Sequence, residues 1–189
     1  IILTLMLLFS LMSQGVMAFA DDIFDPVVVE AEDKNASEEF DDIIVSLTDE
    51  EKLSIALSVL SSGKGSASAL VDGNVDIFSN ANVWGIFANA ADEKSSSQAI
   101  IDGNVIANSG SGAAYGIITD GLGNAEVAVD GNVTAYSRDR AANGIGISNG
   151  TVSVTGSVNA NSEYGTAFGA LASMLAEGQG EAALKIDGS

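Results

Sequence analysis

From about residue 53 onward, apolar and polar side chains alternate in bursts of five or six residues separated by Gly, Asn and Ser. In Ala125-Glu126-Val127-Ala128-Val129 the two valines point one way while Glu126 and Ala128 point the other. The same phase recurs at Ala69 and Val71, at Ala99 and Ile101, and at Val152 and Val154. Period two is the signature of a half-buried strand. Each burst runs into a turn phrase: Val71-Asp72-Gly73-Asn74-Val75, Ile101-Asp102-Gly103-Asn104-Val105, Val129-Asp130-Gly131-Asn132-Val133 and a looser Val154-Thr155-Gly156-Ser157-Val158. The glycines at 73, 103, 131 and 156 are spaced by 30, 28 and 25 residues, and a further copy opens at Ile186-Asp187-Gly188. Beyond the turn a second burst places Val75 and Ile77, Val105 and Ala107, Val133 and Ala135, and Val158 and Ala160 on one side. Periods of this length mark repeat architectures, in which a unit buries its apolar face only by stacking on its neighbours. The pattern predicts an all-β parallel β-helix (β-solenoid) of about 25–30 residues and three short strands per coil, with like residues roughly 4.8 Å apart up the axis.

The rest of the coil follows from the remaining punctuation. One strand is expected after a glycine, at Trp84-Gly85-Ile86, Tyr115-Gly116-Ile117, Asn143-Gly144-Ile145 and Tyr164-Gly165-Thr166. Variable loops such as Ser137-Arg138-Asp139-Arg140-Ala141-Ala142 close each coil. At the corner made by Asp72, Gly73 and Asn74, by Asp102, Gly103 and Asn104, and by Asp130, Gly131 and Asn132, glycine is expected to supply a positive φ, and Asp or Asn to bond the local backbone. Stacked in register, Asn74, Asn104 and Asn132 would form an amide ladder. Trp84, Tyr115 and Tyr164, each before a glycine, would line one edge. That stripe reads either as apolar shielding of the solenoid or as a platform for a sugar or a partner protein.

Residues 48–60 carry two patterns. Thr48-Asp49-Glu50-Glu51 has capping-box spacing ahead of Leu53, Leu57 and Leu60 on one helical face, whereas Leu53, Ile55, Leu57 and Val59 alternate as in a strand. Residues 58–73 align without a gap to residues 173–188, which favours the strand.

The ends differ in character. Residues 1–20 are uncharged, with the apolar run Ile1-Ile2-Leu3-Thr4-Leu5-Met6-Leu7-Leu8-Phe9 and the small-residue pattern Ala18-Phe19-Ala20. This is the core and cleavage site of a secretory signal peptide, too short for a spanning helix. Without an initiator Met or a basic start, and with its last repeat cut at Ser189, the chain reads as a fragment. Residues 21–47 form an acidic leader or N-terminal cap, expected to be solvated and partly disordered; 13 of the 26 acidic residues lie between Asp21 and Lys52. Residues 48–189 form the repeat domain.

A net charge of −19 with only seven basic residues argues against nucleic acid and anionic membranes as partners. With no Cys and no His, the chain has no disulfides, no commonest metal ligand and no usual general base. No cofactor is expected.

Repeats of the form apolar-x-apolar-Asp-Gly-Asn-Val-x-Ala-x-Ser behind a signal peptide resemble the β-helical passenger repeats of bacterial autotransporters and filamentous-haemagglutinin-like adhesins, over about residues 53–189. The resemblance implies a right-handed coil displayed at a bacterial cell surface, outer-membrane-associated or secreted. It also implies binding to a host or neighbouring-cell surface protein or glycan, and a translocation barrel beyond Ser189. No catalysis is expected. The alternative is a carbohydrate-active β-helix, a polysaccharide lyase or glycoside hydrolase, with Asp72, Asp102, Asp130 and Asp187 as its carboxylates. Against it, those aspartates belong to the repeated corner, whereas a catalytic pair is expected once. Solvated corner aspartates are expected rather than calcium on an aspartate column, because the calcium β-roll signature is missing. A β-sandwich of antiparallel hairpins is a third, weaker reading. The sequons at Asn35, Asn132 and Asn149 are assigned nothing.

Overall fold

The computed structural model describes residues 23–24, 27–47, 53–172 and 182–188; the signal-like segment and the capping-box residues 48–51 lie outside them. The chain winds through three parallel sheets in turn. The first sheet holds β1 (Ile23–Phe24), β2 (Val27–Glu32), β5 (Leu53–Ser62), β8 (Val83–Ala90), β11 (Ala114–Gly121), β14 (Ala142–Ile147) and β17 (Ala167–Ala172). The second holds β3 (Asn35–Phe40), β6 (Ser66–Val71), β9 (Ser96–Ile101), β12 (Asn124–Val129), β15 (Gly150–Val154) and β18 (Ala182–Ile186). The third holds β4 (Ile43–Ser46), β7 (Val75–Ser79), β10 (Val105–Ser109), β13 (Val133–Ser137) and β16 (Val158–Ser162). One strand from each sheet makes a coil, and about five coils stack, with β17 and β18 starting another turn.

The expected β-solenoid is therefore present, and the antiparallel sandwich is excluded because the strand pairs are parallel. Val75, Val105 and Val133 stand in one column, with Val158 continuing it. Ala69, Ala99, Val127 and Val152 make another. These columns are dry, and their small or β-branched side chains suit a narrow interior that larger groups would overfill. Leu53–Ser62 is a strand, as the repeat alignment favoured, and β18 takes the register that alignment assigned, Leu184 above Val152 and Ile186 above Val154.

Two expectations change. The glycine does not precede the first-sheet strand but sits inside it: Gly85 in β8, Gly116 in β11 and Gly144 in β14. There the inward phase shifts by one residue, and a Cβ at Gly85 would lie 2.5 Å from the Gly116 carbonyl oxygen and 2.7 Å from Val105 Cγ1. Secondly, residues 27–46, read as a solvated leader, form β2, β3 and β4, a complete first coil paired in register with β5, β6 and β7. Val29, Ala31, Ile43 and Val45 are buried there. Their alternation with Glu30, Glu32, Ile44 and Ser46 puts charge outside and leaves enough apolar surface inside to order the segment.

Candidate functional site

The repeated corner joins the second sheet to the third and holds the predicted amide ladder. Asn104 donates from its backbone N–H (2.9 Å) and from Nδ2 (3.1 Å) to Asn74 Oδ1. Asn132 does the same to Asn104 Oδ1, at 2.9 and 3.0 Å. The ladder extends one step further at each end. Asp42 Oδ1 accepts both donors of Asn74 at 2.7 and 3.2 Å, and Ser157 donates its backbone N–H to Asn132 Oδ1 at 2.9 Å. Every amide points its N–H groups toward the first coil, so the carboxylate of Asp42 stands at the positive end of the aligned dipoles, where a negative charge is favoured.

Glycine serves this corner for a different reason from the one expected. Among the described corner glycines only Gly73 has a positive φ, 154°. At Gly103 and Gly131 the constraint is approach: a Cβ on either would collide with the carbonyl of the glycine one coil below.

Asp72, Asp102 and Asp130 are exposed. Asp130 Oδ1 accepts from Thr155 Oγ1 (2.7 Å), which takes the aspartate's place one coil on, and Asp187 pairs with Lys185 at 2.7 Å. Beside the lower aspartates lies an open cleft of about 500 Å³ lined by Glu39, Phe40, Asp41, Leu70, Asp72 and Asp102. Among the described residues no group of three or more Asp or Glu is gathered in a metal-holding arrangement.

The aromatic stripe is shorter than expected. Trp84 and Tyr115 are in register, their rings edge-on at 6.3 Å and 75°, and Phe87 tilts against Trp84 at 5.2 Å and 57°. Asn143 follows in the column, but the next position belongs to Phe168, not Tyr164. Tyr164 lies in the bend before β17, 78% exposed, its backbone N–H bonded to the Arg138 carbonyl at 2.9 Å. The rings of Trp84, Phe87 and Tyr115 cover one another's edges, which favours shielding over a flat stacking platform.

A second polar column was not foreseen. Ser79, Ser109, Ser137 and Ser162 end the third-sheet strands in register. Ser109 Oγ donates to the Ala81 carbonyl (2.6 Å) and accepts from Gly112 N–H (2.8 Å). Ser137 and Ser162 repeat the arrangement against Gly112 and Arg140. The hydroxyls of Ser109, Ser137 and Ser162 thus tie their own turns to the coil below. The signal was in the repeated phrase, which ends in Ser in its four full copies, at Ser79, Ser109, Ser137 and Ser162.

The loop after β13 carries a surface charge contact. Arg138 and Asp139 form a bidentate pair at 3.0 and 3.1 Å that holds the Asp139 carboxyl below the usual carboxylate range, and Tyr136 donates to Glu163. The chain matches no family model, and neither a curated protein nor a solved structure is significantly similar to it.

Proposed function

We propose that this chain is an exported, non-enzymatic segment of a bacterial surface protein, a β-solenoid stalk or adhesin that holds its side faces toward a protein or glycan of a host or neighbouring cell. The observation that carries this reading is where the repeated polar residues point. Asn74, Asn104 and Asn132, and Ser109, Ser137 and Ser162, bond one coil to the next. What changes from coil to coil lies on the outer side of the strands: Trp84, Tyr115 and Phe168 in one row, interrupted by the buried Asn143, and Ile44, Asp76, Ile106, Thr134 and Asn159 in another. A rigid array with constant joints and variable side faces suits recognition along its length. The signal-like residues 1–20 support export.

The test measures binding of the labelled chain to glycan arrays and to whole cells, alongside reducing-end release from plant and bacterial polysaccharides. Saturable binding without release is expected. Turnover of a polysaccharide, or absence of saturable binding on every surface, overturns the reading.

A further inference from the structure

We propose that the first coil is guarded against pairing with a second copy of this chain, and that Glu38 is the guard. The register places Glu38 beneath Ala69, at the foot of the column that continues through Ala99, Val127, Val152 and Leu184. Every other member of that column is apolar, and the members from Ala69 to Val152 are fully buried. Glu38 points the same way and is exposed. Among the described residues β3 and β4 are the last strands of their sheets on this side.

The rest of the coil is a competent template. Val29, Ala31, Ile43 and Val45 occupy inward columns and are buried, and edge strands present free N–H and C=O groups that recruit further strands. A strand from another copy, added beneath β3, would extend the Ala69 column downward and enclose the Glu38 carboxylate without a cation. Burying an unpaired charge is strongly unfavourable. The other charges of this edge, Glu30, Glu32, Asp33, Glu39, Asp41 and Asp42, with Lys34 the one base among residues 30–42, project outward or lie at corners. They remain hydrated after such pairing and add only screened repulsion. Glu38 alone blocks by position.

The chain has no cysteine, so a single Ser37→Cys on the outer side of β3 reports approach of two first-coil edges by disulfide formation. Sedimentation velocity of the full chain at neutral pH gives the size of any associated species. Glu38→Val is expected to raise the disulfide-linked fraction at least tenfold over Ser37→Cys alone. Glu39→Val, which removes the same charge from the outward side, should leave it near the starting level. Equal linkage in the two variants, or none in either, overturns the proposal. Should Glu38→Val unfold, Glu38→Gln against Glu39→Gln makes the same comparison with side-chain size kept, and the same ordering is required.

Discussion

The first coil and the last complete one are built from the same columns yet close in opposite ways. In the first, Val29, Ala31, Ile43 and Val45 are at most 7% exposed, and Phe40 and Leu47 pack against the core beside them. Around this apolar plug runs an acidic border. Strands β16 and β17 reverse both properties. Val158 and Ala160 are only partly covered, Phe168 and Leu171 on β17 are 49% and 53% exposed, and neither β16 nor β17 carries a charge. The asparagine ladder shows the same asymmetry, resting on a carboxylate at Asp42 and passing to a serine at Ser157. The first coil is covered inside and acidic outside, whereas β16 and β17 are partly exposed and carry no charge. Identical stacking geometry thus supports two different relations to further strands, set by a handful of side chains.

The largest test interrupts the stack between these ends. A Cβ at Gly116 would lie 2.5 Å from both the Gly144 carbonyl oxygen and Val133 Cγ1, so Gly116→Val should destabilise by about 3 kcal/mol or more. Native-state hydrogen exchange should show protection lost first in β14 to β17 while β2 to β4 keep theirs; uniform loss would mean that the two ends are not independently anchored. Next in size, Val29→Ala should cost about 2 kcal/mol in urea unfolding, and Val158→Ala less than half as much, because only Val29 is fully enclosed. Extending the ladder comes third. Ser157→Asn would place a side-chain amide donor like that of Asn104 and Asn132 beside Asn132 Oδ1 and should stabilise by about 0.5–1 kcal/mol, with slower exchange in β16.

The smallest effect belongs to Asp76, on the outer face of the first coils. Burial, with a smaller contribution from the neighbouring Asp42 charge, raises its carboxyl above the ordinary 3.8, and its Oδ1 is buried without a hydrogen-bond partner. A raised native pKa favours the protonated form in the fold. The associated stability is therefore full below about pH 3.8 and is lost as pH rises through the native value. Asp76→Asn should be slightly more stable than wild type at pH 7 and equal to it near pH 3, which urea midpoints at the two pH values would read.

Much of this was legible in the chain. Alternation fixed which residues face inward, and the Asp-Gly-Asn phrase supplied the register, because a one-residue slip would turn every column inside out. The amide ladder followed from the same phrase. The first coil escaped notice because its acidic residues dominate composition, although Val29-Glu30-Ala31-Glu32 alternates as cleanly as later strands. The outward positions of a coil stay hydrated, so they are free to be charged without disturbing the inward columns. Tyr164 was misplaced because Tyr164-Gly165 copies the local spelling of Tyr115-Gly116, whereas pairing follows the strand that has partners below it, which puts Phe168-Gly169 in the column. Corner glycines were assigned to turn geometry when contact between coils demands them, a constraint invisible until neighbours are in place. Glu38 was counted as one acid among many, since the direction of a side chain relative to a dry column emerges only from register.

The hydrogen bonds between coils run along the solenoid axis, from Asn132 to Asn104 to Asn74 and from strand to strand in all three sheets. Tension applied along that axis therefore loads the coils in series, and the chain pays out one turn at a time. Turns of 30, 28 and 25 residues correspond to roughly 100, 95 and 85 Å of slack at about 3.4 Å per residue. Under pulling, the molecule behaves as a graded tether that lengthens in discrete increments while the turns still wound keep their shape.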